Sequence, residues 1–297
     1  MRRFYKVADF CFAVSLAGDR DPDVYLGSFR PFECVECAEE NKLFELCETE
    51  SLPMASSTEL LEEDRNDMGN VRLYRVDGGY RVELSYADGD APHVFETDGG
   101  FDCVRAAIRW DDRYVATALS SMLRIAFSQA VLDRKAVSMH ASVVVNEGKA
   151  FMFMGKSGTG KSTHSRLWID AVPGTELLND DNPIVRVFED RAVAYGSPWS
   201  GKTPCYRNES APVAGMIRLK QAPHNRFVSK EDIAAFSALL PGCSVLRHDE
   251  RLHESLCMTL SELVEKTCVG EMECLPDRDA ALVCREEVLK DDRNKSI

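Results

Sequence analysis

The run from Gly155 to Thr163 constrains the fold of this chain more than any other feature. It reads Gly-Lys-Ser-Gly-Thr-Gly-Lys-Ser-Thr and matches the phosphate-binding pattern G-x-x-x-x-G-K-[ST], known as Walker A. It lies between a strand-like run at 150–154 and a helix-like run at 161–170. Glycines allow a tight turn whose N–H groups point at phosphate oxygens, and the following helix adds its positive dipole end. The pattern predicts a nucleotide site on a strand–loop–helix unit; the alternative is a flexible glycine-rich turn.

The residues of this loop have separate expected roles. Lys161 would reach the β- and γ-phosphates, and the hydroxyl of Ser162 would hold Mg²⁺, so the expected cofactors are ATP and Mg²⁺. The residues expected to surround the nucleotide are Gly155, Ser157, Gly158, Thr159, Gly160, Lys161, Ser162 and Thr163.

Two adjacent carboxylates, Asp180 and Asp181, follow a short apolar strand at Glu176–Leu178. A carboxylate there can coordinate the Mg²⁺ that Ser162 holds, and a second one can accept a proton from an attacking hydroxyl. Neighbouring side chains of a strand point to opposite faces, so both reach one site only where the strand bends. The alternative is a solvated Asn-Asp-Asp-Asn turn.

Two further side chains are candidates for catalysis. His140 stands just before an apolar strand and is able to polarise a hydroxyl or contact a phosphate, although a lone histidine often has a structural role. Arg207 would supply positive charge to a transferring phosphoryl group, unless it is simply solvated. Between these positions, Gly196–Lys202 is either a loop that closes over the substrate or a surface turn with a packed tryptophan.

Composition excludes several classes of partner. The 297 residues carry a net charge of −13, which argues against nucleic acid, and no apolar stretch approaches the length of a membrane helix. The 11 cysteines are scattered, and the single close pair, Cys34 and Cys37, is a weak zinc signal. We therefore expect reduced, buried thiols in a cytoplasmic protein that does not bind membranes.

The spacing of apolar residues predicts two domains with a boundary near residue 112. The first, 1–112, is expected to be β-rich and of unknown role. A helix over Asp111–Asp133 then leads into a nucleotide-binding domain, 113–297, of mixed α and β structure. The polar stretch Leu52–Asn70 is predicted to be a loop, and Ser229-x-x-Asp232 to be the capping box of a later helix.

The segment around the loop resembles the HPr kinase/phosphorylase group. The resemblance rests on His140-Ala141-Ser142, on the hairpin that leads into Gly155–Thr163 and on Asn179-Asp180-Asp181, and it covers roughly residues 136–222. That group shares its nucleotide-binding core with ATP-dependent phosphoenolpyruvate carboxykinase, so the resemblance implies a mixed α+β fold with this P-loop core and a smaller N-terminal domain. The Gly196–Lys202 segment and Arg207-Asn208 look more like the related serine kinases.

The resemblance also implies roles for individual residues. Lys161 would bind phosphate, Ser162 and Asp181 would hold the metal, Asp180 would act as base and His140 would orient the reacting groups, with the two aspartates open to exchange. Thr163 stands where HPr kinase usually has glutamate, and the second glycine-rich signature of HPr kinase is absent from the sequence. Both departures argue against phosphorylase activity and against HPr as the substrate.

The sequence thus predicts a Mg·ATP-dependent kinase whose acceptor is a hydroxyl on a protein, peptide or small molecule. A serine hydroxyl is the first candidate acceptor. Two alternatives remain open: a nucleotide-hydrolysing switch with water as the acceptor, and a non-catalytic binding module that nucleotide stabilises. Assembly into a homo-oligomer also stays open.

Overall fold

The chain folds into two units of mixed α and β structure, Met1–Val131 and Leu132–Ile297. The structure is a computed structural model that describes residues 1–297 except 56, 67, 88, 202, 292 and 295–297. Across the described residues, no helix is both long and apolar enough to span a bilayer.

The N-terminal unit is built on one mixed sheet with the strand order β3-β1-β2-β4-β9-β8-β7-β6-β5. Its strands are β1 Arg2–Val7, β2 Phe10–Ser15, β3 Glu33–Cys34, β4 Lys42–Glu48, β5 Glu59–Asn66, β6 Gly69–Val76, β7 Gly79–Ser85, β8 His93–Asp98 and β9 Cys103–Ala107. Its α-helices are α1 Pro22–Tyr25 and α2 Val115–Ala130. The β-rich character expected of this part of the chain is present.

Helix α2 belongs to the N-terminal unit, whereas the sequence assigned it to the nucleotide-binding domain. It packs against β4 and β8, and the ring of its Phe127 lies 5.8 Å from that of Phe12 on β2. The apolar face that predicted the helix is therefore buried on the first sheet, and the division of the chain falls after Val131 rather than near residue 112.

Strand β5 lies where the sequence predicted a loop. It pairs with β6 along Glu59–Asn66, yet most of its side chains are exposed and several are charged. The strand forms the edge of the sheet, where charged side chains are tolerated and no apolar alternation is required. The alternation of apolar and polar residues that predicts a strand is therefore absent from β5.

Two cysteines of this unit form a disulfide, contrary to the expectation of reduced thiols. Cys11 on β2 is bonded to Cys37, with the Cα atoms 6.1 Å apart. The bond links residues 26 positions apart, one on β2 and the other shortly after β3. The remaining cysteines in the described part of the chain are free.

The second unit contains a sheet in which parallel and antiparallel strands meet. The path β10-β14-β15-β16-β12-β11-β13 is extended by β18, which pairs with β16, and by β17, which pairs with β18. The strands are β10 Ala136–Ser138, β11 Ala141–Asn146, β12 Lys149–Met154, β13 Glu176–Asp181, β14 Ile184–Val187, β15 Ala192–Tyr195, β16 Ser210–Gln221, β17 Arg226–Lys230 and β18 Cys268–Cys274. The helices are α3 Lys161–Ala171, α4 Asp232–Leu239, α5 Glu250–Lys266 and α6 Arg278–Leu289.

The core of the second unit lies between this sheet and helices α3 and α6. The Trp168 ring of α3 packs 4.5 Å from Phe151 and 5.5 Å from Phe153 of β12, and Val288 of α6 joins the same apolar cluster. Because the ring of Trp168 is wholly buried on the strand that precedes the glycine-rich loop, α3 is fixed directly behind that loop.

The predicted capping box is wrong. Ser229 lies in β17, and α4 begins at Asp232 after the N-cap residue Glu231, without a side-chain cap. Ser229 is held in the ladder opposite Gly270 of β18, which removes it from the helix terminus. Long-range pairing thus overrides a local helix signal.

Candidate functional site

The glycine-rich loop joins the end of β12 to the start of α3. Gly155, Gly158 and Gly160 all have positive φ angles, of 151°, 80° and 108°, which residues with a Cβ atom rarely adopt. Gly160 is the N-cap of α3, and no side chain caps this helix. The N–H groups of its first turn therefore face the loop without a side-chain acceptor, an arrangement suited to an anion.

Lys161, the first residue of α3, turns back over the loop. Its Nζ donates to the carbonyl of Gly155 at 3.0 Å and lies 2.9 Å from Nε2 of His140. Burial lowers the pKa of this half-buried lysine, while the charges of Asp181 and Asp180 oppose the change. A phosphate group placed here would add negative charge that favours the ammonium form.

His140 connects the loop to the second aspartate. Its Nδ1 lies 3.0 Å from Oδ1 of Asp181, and its Nε2 faces Lys161. A neutral ring with its hydrogen on Nδ1 satisfies both contacts, because Nε2 then accepts from the ammonium and Nδ1 donates to the carboxylate. The side chain remains 45% exposed, so it is open to a ligand.

The other aspartate contacts the loop hydroxyl. The Oγ of Ser162 donates to Oδ1 of Asp180 at 2.9 Å, and Asp180 is buried. The two aspartates therefore serve different partners, as alternation along a strand requires. In the ladder with β11, Asp181 lies opposite Ala141 and Asp180 opposite Ser142. This register brings Asp181 beside His140.

The end of β13 is conformationally unusual. Asp181 has a φ of 151°, in a region that a non-glycine residue rarely occupies. Such strain persists only where the surrounding structure imposes it, and it is frequent at functional sites. At this strand end, Asp180 contacts Ser162 of the loop, and Asp181 contacts His140, which in turn contacts Lys161 of the loop.

A buried amide network supports this strand end, and sequence reasoning missed it. The Nδ2 of Asn179 donates to the Ser197 Oγ at 3.2 Å and to the Trp199 carbonyl at 3.2 Å. Its Oδ1 accepts from the backbone N–H of Asn182 at 3.0 Å, and Ser197 donates to the Asn182 carbonyl at 2.6 Å. The signal was the asparagine on each side of the aspartates, since asparagine readily bonds nearby backbone.

The segment after Tyr195 packs on the strand end. The backbone N–H of Gly201 donates to the Asp180 carbonyl at 2.6 Å, and Ser200 forms a bridge with Asp181. Trp199 is buried beneath the segment. Lys202, at the end of the segment that the sequence suggested as a substrate loop, lies outside the described residues.

Arg207 is not brought to the loop. Its guanidinium donates to Glu176 at 2.7 Å and to the carbonyl of Leu177 at 3.0 Å, and it also pairs with Glu209. Glu176 and Leu177 lie at the start of β13, whereas Asp181 ends it, and Glu209 directly precedes β16. The hydrogen bond to Glu176 is the main reason why the pKa of Arg207 is raised.

The oxygen atoms beside the loop suit a small divalent cation. Ser162 and Asp180 offer a hydroxyl and a carboxylate oxygen 2.9 Å apart, both hard ligands. Within the described residues, no group of three or more His, Cys, Asp or Glu side chains forms a metal cluster. Mg²⁺ commonly combines one or two carboxylates with substrate phosphates, so a hydroxyl and a carboxylate from the protein are compatible with it.

Comparisons with known proteins add little to this geometry. No protein-family model matches the chain, and no curated protein matches it in sequence. Among solved structures, it is similar to the Hpr(Ser) kinase/phosphatase from Coxiella burnetii, with 14% identity and a TM-score of 0.32, over 54% of this chain and 94% of that one. A likeness this weak supports no conclusion about activity, which has to be argued from the contacts of the site itself.

Proposed function

We propose that the protein is a Mg·ATP-dependent kinase that transfers the γ-phosphoryl group to a hydroxyl of a protein, peptide or small molecule. A serine hydroxyl is the first candidate acceptor. One observation carries the proposal: Lys161 and Ser162 of the loop are in direct contact with His140 and Asp180, and His140 with Asp181. A phosphate cradle, two candidate metal ligands and a proton acceptor are thereby assembled at one loop. Phosphoryl transfer needs little more than such positioning and charge neutralisation.

Ser162 and Asp180 are the proposed ligands of Mg²⁺. Their oxygen atoms are already adjacent at 2.9 Å, and Asp180 is fixed by the ladder with β11. The sequence had assigned the metal to Asp181 instead, with the reverse left open. Mg²⁺, when bound, would neutralise charge on the phosphates, while Lys161 and the loop N–H groups would bind the same groups directly.

Asp181 is the proposed base, in place of Asp180. Its Oδ1 faces His140, and its Oδ2 accepts from Asn182 at 2.8 Å. These contacts hold the carboxylate at the strand end, where an acceptor hydroxyl would approach. His140 orients this carboxylate through its Nδ1. Arg207 is left out of the mechanism because its partners lie at the other end of the strand.

We also propose that the second unit has the HPr-kinase-like core that its sequence resembles, and that the protein acts in the cytoplasm. The partners would be the nucleotide and the hydroxyl-bearing acceptor, without nucleic acid or membrane.

A phosphate-transfer assay tests the proposal. The purified protein is incubated with Mg²⁺, γ-labelled ATP and host-cell extract separated into proteins and small molecules. The wild type is compared with Lys161→Ala and Asp181→Asn, and with the control Asp170→Asn, an exposed carboxylate at the end of α3. We expect label in one discrete acceptor with the wild type and the control, and loss of label in the other two.

Other outcomes would redirect the interpretation. Label released only as free phosphate, and lost in Lys161→Ala, would establish a nucleotide-hydrolysing switch. No turnover, with ATP still raising the unfolding temperature, would establish a binding module. Full transfer by Lys161→Ala would contradict every role proposed for the loop.

A further inference from the structure

Three cysteines converge on one face of the N-terminal sheet, outside the candidate kinase site. Cys11 on β2 is bonded to Cys37, and the Sγ of Cys34, at the end of β3, lies 3.8 Å from the Sγ of Cys11. Strand β1 runs between these two strands, with Lys6 opposite Cys11 and Phe4 opposite Cys34.

The strand register explains this convergence. Phe4 and Lys6 are two residues apart and therefore share a face of β1, so their partners on either side project to that same face. Two sulfur atoms from distant parts of the chain are thus aligned across one strand. The arrangement is set by the sheet ladder, not by the Cys34-x-x-Cys37 spacing alone.

The three cysteines differ in their position in the fold. Cys11 is nearly buried within the sheet, and Cys34 is partly buried. Cys37 follows Val35 and Glu36, both exposed, in a stretch outside the strands. Burial raises the pKa of the Cys34 thiol, and the nearby charge of Lys6 partly offsets this. Cys34 is the candidate nucleophile, Cys11 the shared centre and Cys37 the leaving group.

We propose that Cys11, Cys34 and Cys37 form a thiol–disulfide exchange site in which the bond of Cys11 alternates between its two neighbours. The Cys34 thiolate attacks the Sγ of Cys11, the Cys34–Cys11 bond forms, the Cys11–Cys37 bond breaks, and Cys37 leaves as a thiolate. Cys34 loses a proton to solvent and Cys37 gains one, so no external oxidant or reductant is consumed. Exchange transfers the free thiol from the end of β3 to the segment that follows it, next to the exposed Val35 and Glu36.

Trapping with an alkylating reagent tests this exchange. The oxidised full-length protein is incubated with iodoacetamide at mildly alkaline pH, digested without reduction, and its linked peptides are identified by mass spectrometry. The wild type should accumulate a species with Cys11 bonded to Cys34 and Cys37 alkylated. In Cys34→Ser, Cys37 should stay bonded, with at least tenfold less alkylation. Cys103→Ser, which removes an exposed cysteine of the same sheet, serves as the control.

A second variant keeps the proposal testable if Cys34→Ser folds poorly. In Cys37→Ser, checked for folding by circular dichroism, oxidation should join Cys11 to Cys34. Free Cys11 and Cys34 in a folded Cys37→Ser protein would overturn the proposal. So would equal alkylation of Cys37 with and without Cys34, or stoichiometric zinc held by three reduced cysteines. None of these outcomes depends on kinase activity.

Discussion

At the residue scale, the contact between His140 and Asp181 is the most important for the proposed proton transfer, because it fixes the orientation of the Asp181 carboxylate. A carboxylate at a strand end has freedom to rotate, and a base has to hold one orientation during proton transfer. The Nδ1 of His140 at 3.0 Å fixes one carboxylate oxygen, and Asn182 fixes the other. His140 therefore acts through Asp181, as a positioning residue.

Replacement of His140 by alanine should lower kcat far more than it changes the KM for ATP. We expect a loss in kcat of about 10²-fold, because misplacement of a catalytic group by about 1 Å has an effect of this size. Steady-state kinetics on the acceptor from the transfer assay provide the measurement. His253→Ala, on α5, is the matched control and should retain wild-type kcat. A variant whose KM for ATP rises while kcat holds would assign His140 to nucleotide binding instead.

Some contacts of single residues could be predicted from the sequence, and others could not. The loop pattern, the strand-end positions and the family resemblance predicted the loop residues, His140 and both aspartates as one site, and the structure brings their side chains together. The pairing of Ser162 with Asp180 rather than Asp181 was not predicted, because it depends on how β13 aligns with β11. Arg207 was a candidate on charge alone, and carboxylates near it in space, Glu176 and Glu209, occupy its guanidinium.

At the element scale, helix α3 carries a titratable group in its buried face. The Nε1 of Trp168 donates to Nε2 of His164 at 3.1 Å, so the histidine must be neutral to accept. Burial lowers the pKa of His164 to about 4. Protonation would break this hydrogen bond and place a charge behind the phosphate loop.

The second unit should therefore lose stability as the pH falls from about 6.5 to about 4. The unfolded chain binds a proton in this window and the folded protein does not, so the free energy of unfolding decreases, by about 3 kcal/mol in total. Urea unfolding followed by indole fluorescence in a Trp110→Phe background measures it. In His164→Gln, which keeps an acceptor that does not titrate, the decrease should be smaller. An equal decrease in both proteins would assign the acid sensitivity to other groups.

The pairing of β17 with β18 depends on one glycine. A Cβ atom at Gly270 would lie 2.1 Å from Cζ of Phe227, whose ring covers this position. Gly270→Ala should destabilise the second unit by about 1–3 kcal/mol, in line with overpacking in other cores. Combination with Phe227→Ala should recover part of the loss caused by the alanine, measured by urea unfolding as a double-mutant cycle. Purely additive effects would show that the ring moves aside without strain.

Elements with strong local signals were predictable, and those defined by distant partners were not. The hairpin of β11 and β12 turns at Glu147 and Gly148, both with positive φ, as its Asn-Glu-Gly sequence indicated. Strands β5, β17 and β18 were missed. Strand β5 pairs with its neighbour along the chain, β6, but its side chains are mostly exposed and charged, so it has no strand pattern. Strands β17 and β18 pair with each other from distant parts of the chain, and β17 has few apolar side chains.

At the scale of the whole molecule, the two units have distinct chemistry, a disulfide in the first and the phosphate loop in the second. The predicted boundary near residue 112 depended on the change from strand-like to helix-like spacing. Helix α2 packs on the sheet of the N-terminal unit, and this packing places the division between the units after the helix. The spacing of apolar residues predicts a helix but does not indicate which sheet the helix covers. The charge of −13 argues against nucleic acid as a partner but contains no information on topology.

Hydrogen exchange should distinguish the proposed nucleotide site of the second unit from the disulfide of the first. Saturating Mg·ATP should slow backbone exchange in 155–163 and 176–182, because a ligand at 100 times its Kd stabilises the folded state by about 2.7 kcal/mol. Reduction with dithiothreitol should accelerate exchange in β1, β2 and β3. Lys161→Ala is expected to remove the first effect only, and Cys11→Ser, which can form neither disulfide, the second only. Protection by ATP confined to the N-terminal unit would contradict the assignment of the nucleotide site.

The connection of β12 to β16 has a consequence for biosynthesis. Strand β16 lies parallel to β12 and its last residue, Gln221, donates to the Thr159 carbonyl of the loop at 3.4 Å; β18 pairs with β16 in turn. Parallel pairing between segments so distant along the chain forms slowly. During translation, the N-terminal sheet has all its strands once residue 107 has emerged, whereas the strand that carries the phosphate loop waits for β16 and β18. A nascent chain that stalls before residue 210 would expose the Walker A sequence without β16, the parallel neighbour of β12. Such a chain would bind chaperones before it could bind ATP.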